Sequence, residues 1–347
     1  MVAAGGATGQ TIIVVMRRRR AAALLLPLAL LSAGCTADPG PERPAAAEPA
    51  DSPDVSVPPA GTVVELDPDA EGMVFDPGSG VLAVAVRDPD RLLLVDGATG
   101  AAFDEVPLPG HARHLQLAAP GGPVLVPAED ADRLVQVSLP GGETAETPVG
   151  AYPHDAAQLA SGQILVADEK GGTLSVVTDG EVSRTFDSQT QPGGIAAVGD
   201  LAGVVDVGAF TLTSYNVPAG ELGTVVDAGS GPTHVVADSQ DRFIVADTRG
   251  NALLVFEADT LDRLQTLPLE GTPYGLAYDG VHEVVWVTLT ATNEVVGLST
   301  AGAELTEVAR FPSVRQPNTV AVDERNGRVF VGSRATGELQ LVDPAIG

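Results

Sequence analysis

Seven stretches of fourteen residues recur along the chain without a gap, and self-similarity at this spacing constrains a fold more than any other feature. They are LAVAVRDPDRLLLV from Leu82, VLVPAEDADRLVQV from Val124, ILVADEKGGTLSVV from Ile164, VVDVGAFTLTSYNV from Val204, FIVADTRGNALLVF from Phe243, VWVTLTATNEVVGL from Val285 and VFVGSRATGELQLV from Val329, with starts 42, 40, 40, 39, 42 and 44 residues apart. The third position is Val84, Val126, Val166, Asp206, Val245, Val287 and Val331, and the eleventh is Leu92, Leu134, Leu174, Ser214, Leu253, Val295 and Leu339, so only the fourth window departs. Each window reads as a strand, a polar turn and a second strand, because short β-branched runs flank Asp, Gly, Asn and Pro. A further short apolar run precedes each window, as in HVVAD from His234, GLAYD from Gly275 and TVAVD from Thr319, and another strand follows a turn such as DGATG. Four strands in about 40 residues, repeated seven times, predict an all-β chain folded as a seven-bladed β-propeller. Little chain follows Val342, so Thr62-Val-Val-Glu-Leu66 is expected to supply the missing strand of the last blade and remove an open sheet edge.

The sequence upstream divides into two parts. Arg17 to Arg20 form a positive region, Ala21 to Leu31 a short apolar core, and Ser32, Ala33 and Gly34 lead to Cys35, the only cysteine. Such a run is too short to span a bilayer comfortably and predicts export with cleavage, the true start being Met16. Leu31-Ser-Ala-Gly-Cys35 resembles the bacterial lipoprotein signal, which implies that Cys35 becomes the lipid-modified first residue of an extracytoplasmic, membrane-tethered protein. Residues 36 to 60 are dominated by Pro, Ala, Glu and Asp without apolar periodicity, and read as a disordered tether. The domains are therefore 1–34 signal peptide, 35–60 lipidated cysteine and tether, and 61–347 propeller. With 19 basic against 46 acidic residues the net charge is -27, which repels a polyanion and argues against nucleic acid as a partner. A single lone cysteine excludes an internal disulfide, and a monomer is expected.

The run P-x-[GHT]-[LIV]-A-x-D followed by a hairpin with a polar turn is similar to the YVTN and NHL propeller families, from residue 61 to the end. The WD40 signature is absent, since Trp286 is the only tryptophan and no Gly-His precedes a Trp-Asp. Fold alone leaves activity open. Propeller geometry points to one ring, because residues just before the innermost strand of each blade sit at one mouth of the central channel. After Ala70, Ala112, Pro153, Pro192, Pro232, Pro273 and Pro317 come Glu71, Arg113, His154, Gly193, Thr233, Tyr274 and Asn318, and then Gly72, His114, Asp155, Gly194, His234, Gly275 and Thr319. Three of the five histidines fall in this ring. The candidate ligand-binding set is Glu71, Arg113, His114, His154, Asp155, His234, Tyr274 and Asn318, and its mixed charge suits a small polar or anionic molecule, with a peptide or protein partner as the other possibility. His111 and His282 lie outside the ring, and Asp168 and Asp247 read as solvated turn residues.

Glu71-Gly-Met-Val-Phe-Asp76 and Pro317-Asn318 resemble metal-ligand motifs of the SMP-30 and gluconolactonase propellers, which implies Glu71 and Asn318 as ligands of a divalent calcium or magnesium ion, the Asn standing in a different blade here. Pro153-His154 resembles the Pro-His-Gly turn of streptogramin lyase, with Asp155 replacing the glycine, and this implies His154 as the candidate base. Binding at the channel mouth is the principal reading, without a required cofactor, and a metal-dependent lactonase or lyase is the alternative.

Overall fold

In a computed structural model that describes residues 45–66, 69–188 and 190–345, the chain forms seven four-stranded antiparallel sheets arranged as a β-propeller. Blade one runs Ala70–Asp76, Val81–Val86, Arg91–Asp96 and Ala102–Pro107 from the channel outwards, and blades two to six repeat this order. Blade seven takes three strands from Pro317–Asp323, Arg328–Ser333 and Glu338–Val342, and its outer strand is Thr62–Glu65, paired Thr62 with Leu341 and Glu65 with Glu338. The expected closure is therefore present. Cys35 and the signal segment lie outside the described residues.

Strand periodicity explains how the sheets cohere. Successive side chains point to opposite faces of a strand, so Leu82, Val84 and Val86 pack towards blade seven while Val81, Ala83 and Ala85 pack towards blade two. Every blade does the same, and the buried apolar residues fall into seven clusters, one between each pair of neighbours, including blades seven and one. Inter-strand turns are set by residues that tolerate a left-handed backbone: at the ninth position of the hairpin, blades two to seven place Asp132, Gly172, Phe210, Asn251, Asn293 and Gly337, with φ between 51° and 70°. Asp, Asn and Gly adopt this conformation readily, whereas Phe210 is held there by its surroundings.

The fourth blade corrects the repeat. Its hairpin strands are Leu201–Asp206 and Thr211–Asn216, with Asp206 opposite Thr211 as Asp168 is opposite Thr173 in blade three. The matching window therefore starts at Ala202 rather than Val204, and its third and eleventh positions are Val204 and Leu212. No blade departs from the pattern. Asp168 and Asp247 are also buried rather than solvated: Asp168 accepts from Thr173 and Ser175 hydroxyls, and Asp247 from the Ser230, Gly231 and Gly250 amides. Burial pushes the Asp168 carboxyl up to about 6. These acids fasten turns.

Residues 45 to 54 differ from expectation. The sequence reads them as part of a free tether, but they lie along the propeller with Ala47 and Ser52 buried, because backbone groups satisfied by rim side chains replace the missing apolar periodicity.

Trp286 offers a test of packing. It is fully buried and stands cross-strand from Gly297, where an added Cβ would come within 2.6 Å of the indole. Gly297→Ala is expected to destabilise by about 1–3 kcal/mol through overpacking. Emission of this single tryptophan during urea unfolding measures the effect, and an unchanged midpoint would contradict the packing.

Candidate functional site

The first residues of the inner strands do meet at one end of the channel, and a second ring that the sequence reading overlooked completes the arrangement. At the sixth position of each hairpin window, counted in the corrected register, stand Arg87, Glu129, Glu169, Val207, Thr248, Thr290 and Arg334. The backbone amide of Glu129 donates to the carbonyl of His111, that of Glu169 to Tyr152, that of Thr290 to Thr272 and that of Arg334 to Gln316, the last three acceptors lying directly before an inner strand. This fastens the two rings together. Glu71 and His154 each lie between the sixth-position residues of their own blade and the preceding one.

Charges alternate accordingly. The Glu71 carboxylate faces two guanidiniums, Arg334 Nε at 2.7 Å and Arg87 Nε at 3.4 Å. His154 sits in the reverse setting, its Nδ1 2.7 Å from Glu129 Oε1 and 3.7 Å from Glu169 Oε2. Glu129 is fully buried and also meets Arg113 Nε at 3.5 Å and His111 Nε2 at 2.5 Å, while His111 Nδ1 is 2.6 Å from Asp130. Burial alone would raise the Glu129 carboxyl, but the hydrogen bond to His154 and the charges of His154, Arg113 and His111 outweigh it and hold the group down at about 2. For His154, burial works against the charged form, but Glu129 and Glu169 win and its affinity for a proton is raised. His111 thus belongs to the network it was expected to lie outside, whereas His282 caps an Asp279 turn elsewhere.

A chain of rings crosses the channel from this network. His114 lies 4.5 Å from His154 and 4.5 Å from His234, stacked on the latter at 15°, and His234 meets Tyr274 edge-on at 4.5 Å. Burial, with His114 and His154 as neighbours, holds His234 well below the ordinary histidine range. Burial and the Glu48 carboxylate raise the Tyr274 hydroxyl. Asp155 is occupied structurally, accepting from Ile195 N at 2.8 Å, Gln116 Nε2 at 3.0 Å and Ala156 N at 2.8 Å. Asn318 Oδ1 accepts from Gln316 Nε2 at 2.9 Å.

Of the eight expected residues, Glu71, Arg113, His114, Asp155, His234 and Asn318 line a channel cavity of about 590 Å³, while His154 and Tyr274 support them from outside that lining. Apolar residues such as Val74, Leu117 and Ala277 line its further length. Of the metal ligands that the resemblance implies, Glu71 faces two arginines and the Asn318 oxygen accepts one hydrogen bond. Among the described residues, the group with suitable donors is Glu129, His154 and Glu169, whose ligand atoms all lie within 4.8 Å of one another.

No family model and no curated protein sequence matches the chain. Solved structures do. Hydrazine synthase from Kuenenia stuttgartiensis superposes with a TM-score of 0.69 at 16% identity, over 83% of this chain and 99% of that one. Virginiamycin B lyase from Staphylococcus aureus gives 0.68 at 15% identity, over 81% and 98%. The WD40 repeats of RRP9 give 0.70 at 12% identity, over 84% and 100%. At these identities the likeness is one of fold.

Proposed function

We propose that the chain is an extracytoplasmic, lipid-anchored propeller of the YVTN/NHL kind that binds a small carboxylate-bearing molecule at the polar head of its channel. One observation carries this reading: Arg113 lines the cavity beside His114 and His234 with 32% of its side chain exposed, while its Nε faces Glu129 at 3.5 Å. The forked donors of a guanidinium suit a carboxylate, which it can bind in two parallel bonds. The acidic surface opposes anions at long range, but that field is screened beyond about 8–10 Å in physiological salt. Titration calorimetry with a panel of mono- and dicarboxylates of two to eight carbons tests the reading. Saturable binding that disappears in Arg113→Gln is expected, and a folded protein that binds none of them would refute it.

The alternative, a metal-dependent lactonase or lyase, is favoured by the Glu129, His154 and Glu169 donors. Two carboxylates and one imidazole suit a divalent cation, which would supply Lewis-acid polarisation of a carbonyl oxygen. In this chain the cation competes with the proton on His154, because a ligand must be deprotonated to bind. Affinity for Mg²⁺ or Mn²⁺ should therefore rise from pH 6 to pH 8 and fall in Glu169→Gln; no binding at millimolar cation and pH 8 removes this reading.

Anchoring rests on Cys35. Full-length protein should partition with membranes and be released by detergent, with Cys35→Ser altering its processing; equal solubility of both would contradict the anchor. Stable attachment implies more than one acyl chain, since a single chain binds only marginally.

A further inference from the structure

The rim of blades five to seven holds a segment of the chain's own sequence as a receptor holds a peptide. Ala50 N donates to Thr290 Oγ1 at 3.0 Å, and Gln316 reads two backbone groups at once, accepting from Ser52 N and donating to Ala50 O, both at 2.9 Å. Asn293 Nδ2 donates to Pro53 O at 2.9 Å, Arg249 Nη2 to Ala45 O at 2.6 Å, and Arg315 Nε to Ser52 O at 3.4 Å. Two side chains are enclosed: Ser52 Oγ donates to the Thr290 carbonyl at 2.5 Å, and Ala47 sits where a Cβ on Gly231 would come within 2.8 Å of it. Glu48, Asp51, Pro53 and Asp54 are exposed. Backbone groups are thus read by side chains, and sequence is read at two small positions five residues apart, the pattern of extended-peptide recognition.

We propose that this rim is a peptide-binding site for an extended acidic segment with a small residue, four variable residues and then Ser-Pro, occupied in cis by residues 45–53 and open in trans to a segment of the same chemistry. The site is distinct from the channel cavity and does not depend on the carboxylate reading. It adjoins that site nonetheless, because Gln316 also donates to Asn318 and Glu48 acts on Tyr274. Exposed acids on the segment complement Arg249 and Arg315, the latter 3.8 Å from Asp54.

A labelled synthetic peptide of residues 45–54 supplies the test by fluorescence anisotropy. The cis segment competes at an effective concentration in the millimolar range, so the wild-type chain should bind the peptide at least about tenfold more weakly than a full-length chain whose segment is displaced by Ala47→Arg and Ser52→Lys. Adding Gln316→Ala to the displaced chain should abolish binding. Equal binding by both chains, or none by a displaced chain with an intact melting transition, would overturn the proposal. If the displaced chain fails to fold, hydrogen exchange decides: amides of Ala50 and Ser52 should be protected in the wild type and lose protection in Gln316→Ala, and absence of protection in the wild type overturns it.

Discussion

Glu129→Gln is expected to lower stability by about 3–5 kcal/mol, because removing one partner from a buried ionic group leaves the others uncompensated. Arg113, His154 and His111 all converge on this carboxylate, and Glu129 has no exposed surface. For a chain of this size the loss corresponds to roughly 10 °C in Tm. Glu129 is held at about 2 in the folded state, below its ordinary 4.5, so its contribution is present above about 4.5 and disappears as pH falls towards 2. His154 binds its proton more tightly when folded, so its contribution is complete below its ordinary 6.5 and is lost as pH rises through the higher folded value. His234 does the reverse, since its folded state resists protonation and stability falls as pH drops below 6.5. Melting curves between pH 4 and pH 9 should accordingly show a flatter alkaline limb in His154→Gln and a flatter acid limb in His234→Gln. A Glu129→Gln melting temperature within a degree of the wild type would show that the network is not what the geometry implies.

Deleting residues 61–66 is expected to have a comparable effect by a different route. Thr62–Glu65 supplies the outer strand of blade seven, and Leu66 N adds a bond to Gly337 O at 2.6 Å. Losing about four main-chain bonds at ~1 kcal/mol each accounts for roughly 4 kcal/mol, and the exposed edge at Glu338–Val342 becomes a template for intermolecular pairing. Size-exclusion chromatography should show aggregation together with the lower Tm. Removing residues 45–55 should cost less, about 1–3 kcal/mol, since its contacts are a few part-buried hydrogen bonds and two small side chains, although the composition of the segment predicts no loss at all. A 61–66 deletion that stays monomeric at the parental Tm would contradict the closure.

How far the sequence reveals this architecture depends on what each level of structure requires. Blade number, strand count and closure were legible because apolar alternation and turn chemistry repeat every 40 residues or so, and both are local. Blade four was read two residues out of register because Asp206 was aligned with the buried valines; taking it instead as the turn acid equivalent to Asp168 restores Val204 and Leu212 to the pattern. The first ring was legible from its place before the inner strand. The second was printed in the same windows, as Arg87, Glu129, Glu169 and Arg334 at one column, but charged residues after a strand usually mean a solvated turn. Only the curvature of neighbouring blades turns that column inward. Glu71 shows the consequence: as a sequence motif it resembles a metal ligand, while the two arginines that neutralise it come from the turns of its own blade and of blade seven. The docked segment 45–53 was illegible for another reason, since its backbone is recognised by Thr290, Asn293 and Gln316, which lie 240 to 266 residues away and leave no periodicity in the segment itself.

Side chains from separate blades converge on one electrostatically coupled site at the head of the channel. Titration of the five histidines by imidazole-detected NMR measures this directly. His154, between Glu129 and Glu169, should keep its proton above pH 6.5, whereas His234, packed against His114 and Tyr274, should remain neutral well below it. Glu129→Gln should bring the His154 midpoint down and leave His234 below the ordinary range. Both histidines titrating together near 6.5, unaffected by Glu129→Gln, would mean that the ring is a set of independent solvated turns and would contradict the site.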